Sequence, residues 1–386
     1  MAADVGITTY PVYLKGKSVM ALWRNSETTI FEGTIPPLNA VALIDFNKVL
    51  SLWDKLAATV STETPWSHPD AAELDGQTVG EWLRKTSWTE SAKRMSALMV
   101  NTILCKEPGE VSMLFWLTYI KSGQGIMRLS DADNGGQERK FIEGACTICE
   151  RLAVRLGSER VLLDSPVMSI KHGTEGVTVT TKSSGSCEAH VYKAKYVVVA
   201  LPPTLYSKIS WTPQLPSHRS KLAAATSMGS IIKTNMYWSK PFWREQGLSG
   251  TIISQEGPVS YSYDDCGPDH DKNSIMGFVL ARHAVKWSKK TREERKQALA
   301  DQYAQMFGIP EMRNPIAYVE KNWDQEEWSD GCYVDVMPPH VLTNWGDGLR
   351  DKMGRVHFAG TETATKWIGY IDGAIEAGER EAHAVL

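Results

Sequence analysis

An interleaved, mixed α/β fold, with each of two domains assembled from separate stretches of chain, is what the sequence predicts. Three observations lead to it. Segments with helical apolar spacing alternate with β-branched runs along the whole length, with no clean split between a helical and a sheet part. The 386 residues leave room for two domains of ordinary size. No internal repeat and no low-complexity linker separates them.

Taken in order, PVYLKGKSVMALW (11–23) reads as strand, and TIPPLNAVALIDFNKVLSLWDKLAA as a proline turn leading into a helix. SWTESAKRMSALMVNTIL reads as a helix entered at Thr89, whose hydroxyl can accept a free N–H of the first turn. EVSMLFWLTYI is apolar nearly all round, which places that helix inside a large core. After NGGQERKF comes FIEGACTICERLAVRL, a helix that stops at Gly157. RVLLD, VMSIKHGTEGVTVTTK and HVYKAKYVVVALPP then form a sheet-rich segment broken by Gly and Pro, and SIIKTNMYW with SIMGFVLA belongs to a second. TREERKQALADQYAQMFG is a surface helix, with a capping box from Thr291 to Glu294 and a stop at Gly308. Last, the short strand VHFAG turns through TETATKW into GYIDGAIEAGEREAHAVL. Ile371, Ala374, Ile375, Gly378 and Ala382 share one helical face there, which predicts close packing. The start of this helix offers unpaired N–H groups to an anion or an electron-rich ring edge.

Composition narrows the function. Hydrophobic residues make up 42% and charged residues 23%, as in ordinary globular proteins. A formal charge of -3 gives no electrostatic case for nucleic acid or an anionic membrane, so small-molecule chemistry is the expectation. No apolar run reaches the ~18 residues of a membrane span, and MAADVGITTY has no signal-peptide pattern, so the chain as given is expected to be soluble and cytoplasmic. Cysteines 105, 146, 149, 187, 266 and 332 are too sparse for a disulfide scaffold and fit a reducing compartment. Cys146 and Cys149 form a CxxC without a second ligand pair and read as helix core rather than as a zinc site. The loop DDCGPDHD, Asp264 to Asp271, reads as a solvated turn rather than as a metal site, so no metal is expected.

Several motifs carry more specific information. FAGTETATKWIGYIDGAIEAGER resembles the carboxy-terminal signature of the flavin-containing amine oxidases, specifically the monoamine oxidases. NGGQERKF, AKYVVVALPPTL, KPFWR, KNW and SDGCY are similar to further segments of the same family, in the same order from about Val5 to Leu386. The resemblance implies FAD as cofactor, a small amine and O2 as reactants, and a homodimer among the accessible assemblies.

It also implies roles for individual residues. Cys332 in SDGCY would carry the flavin through a thioether, a bond that suits a soft thiolate; alone, it would read as an inert buried thiol. Tyr333 and Tyr370 would face each other before the ring and orient the amine between two electron-rich faces. Lys233 interrupts an otherwise apolar strand and would reach flavin N5 through a water; without the resemblance, an outward-facing lysine is an equal reading. Val167, Trp323, Glu362, Gly369, Tyr370 and Ile371 match positions that contact FAD. Gln137, Tyr261, Tyr263, Met276 and Phe278, with the two tyrosines, match the cavity lining, and aromatic walls with one amide fit an arylalkylamine. Thr102, Ile103 and Ser130 depart from the more apolar or sulfur-bearing residues usual near the entrance.

The strand, GxGxxG and helix that cradle the pyrophosphate in such enzymes have no counterpart here, and Gly135 and Gly136 do not follow a suitable strand. The dinucleotide domain is therefore expected to be incomplete, with open sheet edges and exposed apolar surface. The family's membrane tail is also missing; a longer form carrying it would belong at the mitochondrial outer membrane. The resemblance places residues 1–141 and 223–325 in a substrate domain, and 142–222 and 326–386 in the remaining part of the FAD domain. The expected reaction is oxidative deamination of primary monoamines to the aldehyde through an imine, with O2 reduced to H2O2. The alternatives are an inactive relative acting as a binding or regulatory protein, and an enzyme completed by the nucleotide-binding segment in trans.

Overall fold

A computed structural model describes residues 1–22, 28–182, 189–269 and 272–386. Trp23, Cys187, His270 and Asp271 fall outside these residues.

A helical layer forms the largest core. Helix α1 (Ala40–Thr59) starts where the Asn39 side chain accepts the Ala42 N–H at 2.9 Å. Helix α2 (Glu90–Leu104) is capped by Thr89 as the sequence predicts. In α3 (Met113–Ser122) only Lys121 escapes burial, so the all-round apolar pattern is a central helix. Trp53 of α1 packs edge-on against Trp116 of α3, ring centroids 5.3 Å apart. Buried Asp45 joins α1 to the start of α2: its Oδ2 accepts from the Trp88 and Thr89 N–H groups at 2.7 Å and from the Ser87 hydroxyl at 2.8 Å. Burial works against the Asp45 carboxylate, but these donors outweigh it and hold its pKa at about 2.

The second layer is a seven-stranded sheet built from β1 (Lys17–Ala21), β2 (Thr29–Phe31), β3 (Ile231–Tyr237), β4 (Leu248–Ser254), β5 (Tyr261–Asp264), β6 (Ser274–Leu280) and β7 (Ala317–Asn322). The strands lie in the order β7-β3-β6-β5-β4-β1-β2, antiparallel except for β4 with β1. The 11–23 stretch is therefore not one strand. Thr9–Pro11 pairs with Arg139–Phe141 in a separate ribbon, which the Val12 N–H extends to Glu138 O at 2.9 Å before β1 begins at Lys17. One face of the large sheet is covered by α5 (Arg292–Phe307), whose Leu299, Tyr303 and Phe307 pack with Met236 and Ile275.

The remaining sheets are small. Residues 167–212 supply a four-stranded sheet, and Val197–Val199 pairs in parallel with Val356–Phe358 in a two-stranded one. Parallel pairs are normally covered on both sides, yet Val198 is 41% exposed here. Helix α4 (Cys146–Leu156) leaves Val154 77% exposed and buries only Ile148. Cys146 and Cys149 are exposed, so the CxxC lies on a helix but not in a core. The helix is amphipathic: Ile148 and Leu152 pack in a small cluster with Val5, Ile7 and Phe141, while Val154 and Leu156 stay exposed.

Helix α6 (Ile371–Val385) corrects a second expectation. Its buried face is Gly373, Ala377 and Glu381, whereas Ile371, Ala374, Gly378 and Ala382 are exposed. Buried Glu381 finds compensation in His357 Nδ1 and Arg380 Nε, both at 2.9 Å, so a charged residue occupies a position the apolar pattern could not reveal.

Candidate active site

Strand register brings the first group of site residues together. Across β5, β6 and β3, Tyr261 stands opposite Phe278 and Phe278 opposite Lys233; one row on, Tyr263 stands opposite Met276 and Met276 opposite Asn235. Residues directly opposite share a face, as do i and i+2. All six therefore project to the side away from α5. Each keeps some exposure while the alternate residues Ser262, Gly277, Ile232, Thr234 and Met236 are buried. In the middle of a seven-stranded sheet that pattern marks an open hollow. The Tyr261 and Tyr263 rings are 4.8 Å apart, and Lys233 Nζ is 5.9 Å from the Phe278 ring centre. Although exposed, Lys233 is flanked by protein on most sides; this desolvation, the largest influence, pulls its pKa below the ordinary lysine value.

A second wall comes from the 323–333 segment. Cys332 donates its N–H to Gly229 O at 2.8 Å, and Cys332, Tyr333, Trp323 and Phe278 pack around Cys105, Ile231 and Leu280. The peptide bond between Cys332 and Tyr333 is cis. Burial pushes the Cys332 thiol up to about 12, with Lys233 pulling the other way.

The third wall is the turn into α6. Tyr370 Oη accepts from Gln137 Nε2 at 3.3 Å and donates to Leu129 O at 3.4 Å, and the Trp367 ring meets the Tyr370 ring edge-on at 5.1 Å. Burial raises the Tyr370 phenol to about 12. Gly369 has φ +83°, and a Cβ there would come within 2.4 Å of Tyr119 Oη, so both conformation and space demand glycine. In NGGQERKF, a Cβ on Gly136 would lie 3.3 Å from the Trp367 ring and 3.5 Å from Tyr370. Tyr370 is the N-cap residue of α6 and makes no side-chain cap, leaving the first N–H groups for another acceptor.

Glu362 lies behind this turn, 5% exposed, with Asp335 beside it: the Asp335 N–H donates to Glu362 Oε1 at 3.3 Å. Both line a small cavity of about 20 Å³ together with Thr62, Thr118 and Arg350. Asp335 Oδ1 is buried without a hydrogen-bond partner. Burial, with Glu362 adding to it, raises the Asp335 carboxyl to about 7. Val167 stands apart, packing with the cluster that contains Val356 and Phe358. Ile371 opens α6 and is 46% exposed.

Four residues escaped the sequence reading. Tyr119 is hidden in an apolar helix, yet it is 1% exposed and lies within electrostatic range of both Tyr370 and Cys332. Asp335 had a visible signal, an acid within the apolar run VDVMPP. Asn235 and Asp265 become noticeable only once strand register is known. The loop beginning at Asp264 is a structural joint: Asp264 takes Arg244 Nε at 2.7 Å and Trp243 Nε1 at 2.8 Å. Among the described residues, no group of three or more His, Cys, Asp or Glu side chains could hold a metal ion.

Half-exposed aromatic walls, one cation and an open helix N-terminus suit a flat ring rich in acceptor atoms, so the residues present fit a flavin. Comparison with known proteins points the same way. The family model for flavin containing amine oxidoreductase matches residues 1–386. The "Amine oxidase [flavin-containing] B" of Canis lupus familiaris is 41% identical over 397 residues, spanning 100% of this chain and 73% of that protein. The human form B is 40% identical with the same coverage. Among solved structures, the cyclohexylamine oxidase from Brevibacterium oxydans IH-35A superposes with a TM-score of 0.91 at 32% identity, covering 100% of this chain and 83% of that one. A putrescine oxidase A394C mutant gives a TM-score of 0.93 at 30% identity, covering 100% and 84%. With its whole length matched, the chain belongs to the flavin-containing amine oxidoreductase family.

Proposed function

We propose that this chain oxidises primary arylalkyl or alkyl monoamines to the imine, which water hydrolyses to the aldehyde, with O2 reduced to H2O2. The family fixes the reaction class as flavin-dependent amine oxidation. The monoamine reading rests on one observation: the six-residue sheet face is aromatic and apolar, carrying Tyr261, Tyr263, Phe278 and Met276 around a single lysine. An uncharged amine with an apolar body matches such walls.

When bound, FAD supplies the redox chemistry, taking up a hydride equivalent from the amine α-carbon. The protein residues orient and shield. Tyr370, fixed by Gln137 and Leu129 O, and Tyr333, packed beside Cys332, form the proposed slot for the neutral amine. Their raised phenol pKa values keep both rings uncharged at neutral pH. Lys233, lowered by its enclosure, is the group that holds or releases a proton beside the ring. Trp323, Glu362, Gly369, Ile371 and Val167 are the proposed FAD contacts, and Cys332 the covalent attachment, which requires its thiol to lose a proton first. Residues 1–141 and 223–325 then form the substrate domain, with 142–222 and 326–386 on the FAD side.

The test is an absorbance spectrum of purified protein before and after acid precipitation, with peroxide release measured on primary arylalkylamines and on diamines. Yellow colour staying in the pellet, and moving to the supernatant in Cys332→Ser, supports covalent FAD. Faster turnover of diamines overturns the monoamine assignment. Protein showing neither flavin absorbance nor amine-dependent peroxide removes the enzyme reading for this chain.

A further inference from the structure

One charged group beside the sheet hollow has no part in the scheme above. Asp265 follows β5 on the same face as Tyr261 and Tyr263, because it continues their alternation. Its carboxylate is clamped on both oxygens: Lys140 Nζ reaches Oδ1 at 2.6 Å and Asn235 Nδ2 reaches Oδ2 at 2.5 Å. Small Ser274 lies opposite at this level, hydrogen-bonded to the Asp265 backbone. Asn235 is two residues from Lys233 on one strand face, so the clamp ties the carboxylate to the residue one row from the lysine.

We propose that Asp265 is the positioning residue of Lys233, and that Asn235 and Lys140 hold it where its charge sets how readily Lys233 gives up its proton. The proposal rests on Lys233 being the residue nearest the flavin ring. Other charged or titratable groups around Lys233 are accounted for. Lys321 stands directly opposite on β7 but is drawn off by Glu326 at 2.5 Å. Asp324 accepts the Ile231 N–H at 3.1 Å and is engaged there. Tyr237, two rows away, and Cys332 are neutral at working pH. Phe278 and Met276, on β6, bring no charge. Asp265 and Lys140 are left as the fixed charges that act on Lys233. Of the charges that act on Lys233, Asp265 favours its protonated form and Lys140 opposes it, both beneath the larger effect of desolvation.

Two substitutions therefore act in opposite directions. Asp265→Asn keeps the shape and removes the counter-charge, so Lys233 becomes neutral at lower pH. Lys140→Gln removes a like charge and frees the carboxylate, so Lys233 stays protonated to higher pH. The measurement is ¹³C-dimethyl-lysine NMR titration of the full chain, with the Lys233 resonance assigned from Lys233→Met and fold checked by circular dichroism. It requires no bound flavin. The expected result is a titration midpoint below wild type in Asp265→Asn, above it in Lys140→Gln, and near wild type in Asp265→Glu. Midpoints that stay put, or move the same way in both variants, overturn the proposal. Oxygen-dependent flavin reoxidation in loaded protein is the second arm. If Lys233→Met leaves that rate unchanged while the midpoints move as stated, the assignment of Lys233 to the ring fails and the Asp265 coupling stands.

Discussion

Replacing Asp335 by Asn should make the chain more stable at neutral pH, and increasingly so as pH rises. Asp335 is 0% exposed; its Oδ2 accepts from Thr204 N–H at 2.7 Å and from the Thr226 hydroxyl at 3.1 Å, while Oδ1 has no partner. Its carboxyl is raised from 3.8 to about 7, by burial first and by Glu362 second. The folded chain therefore holds a proton that the unfolded chain has lost over that window. Stability from this group is complete below about pH 4 and is lost as pH rises through about 7. Three units at 1.36 kcal/mol per unit come to about 4 kcal/mol. Glu362, also raised by burial, acts in the same direction. Asn mimics the protonated acid and can keep the Thr204 N–H satisfied, so the variant lacks this pH dependence. Urea unfolding followed by tryptophan fluorescence, from about pH 4 to about pH 8, measures it. The variant and wild type should nearly coincide at the acid end and separate by a few kcal/mol at the other. A constant gap across the range, or a wild type that gains relative stability above pH 6, would refute the reasoning.

Further outcomes follow from other joints. Asp45→Ala should cost about 2 kcal/mol above pH 4, because the carboxylate is stabilised to a pKa of about 2, and the deficit should shrink as pH falls through that value in the same urea assay. Gly369→Ala should destabilise by about 1–3 kcal/mol, since it forces a side chain into positive φ and against Tyr119; an unchanged thermal midpoint would show that the turn can relax. Arg295 and Glu320 are each 9% exposed and ion-paired across α5 and β7. Removing either alone should cost about 3 kcal/mol, and removing both should cost less than the sum, as a double-mutant cycle in urea would report.

The parts of the fold that local rules determine were legible beforehand. Thr89 and Thr291 cap the helices they were expected to cap, and the apolar pattern of α3 gave its central position. Rules of thumb failed where tertiary partners decide. The small-residue stripe of α6 faces solvent because Glu381, hydrogen-bonded to His357 and Arg380, occupies the inner face instead. The CxxC cysteines are exposed because only the Ile148 and Leu152 side of that helix is covered, by Val5 and Ile7, which amphipathic spacing alone does not tell. At the site, motifs singled out Lys233, Tyr333 and Tyr370, but Asn235 and Asp265 have no local signature. Their importance comes from pairing between strands separated by about thirty residues of chain, and that register is not written in either segment alone.

The hollow in the large sheet also has an arithmetic property. Whether a side chain meets solvent or the α5 core depends on odd or even count within its strand, and three strands must agree at once: 233 and 235, 261 and 263, 276 and 278. Loop length between them does not change this parity. Deleting a single residue inside Ile231–Tyr237 is different in kind, because it would swing the ammonium group into a packed layer of Tyr303 and Phe307 and turn an isoleucine outward to water.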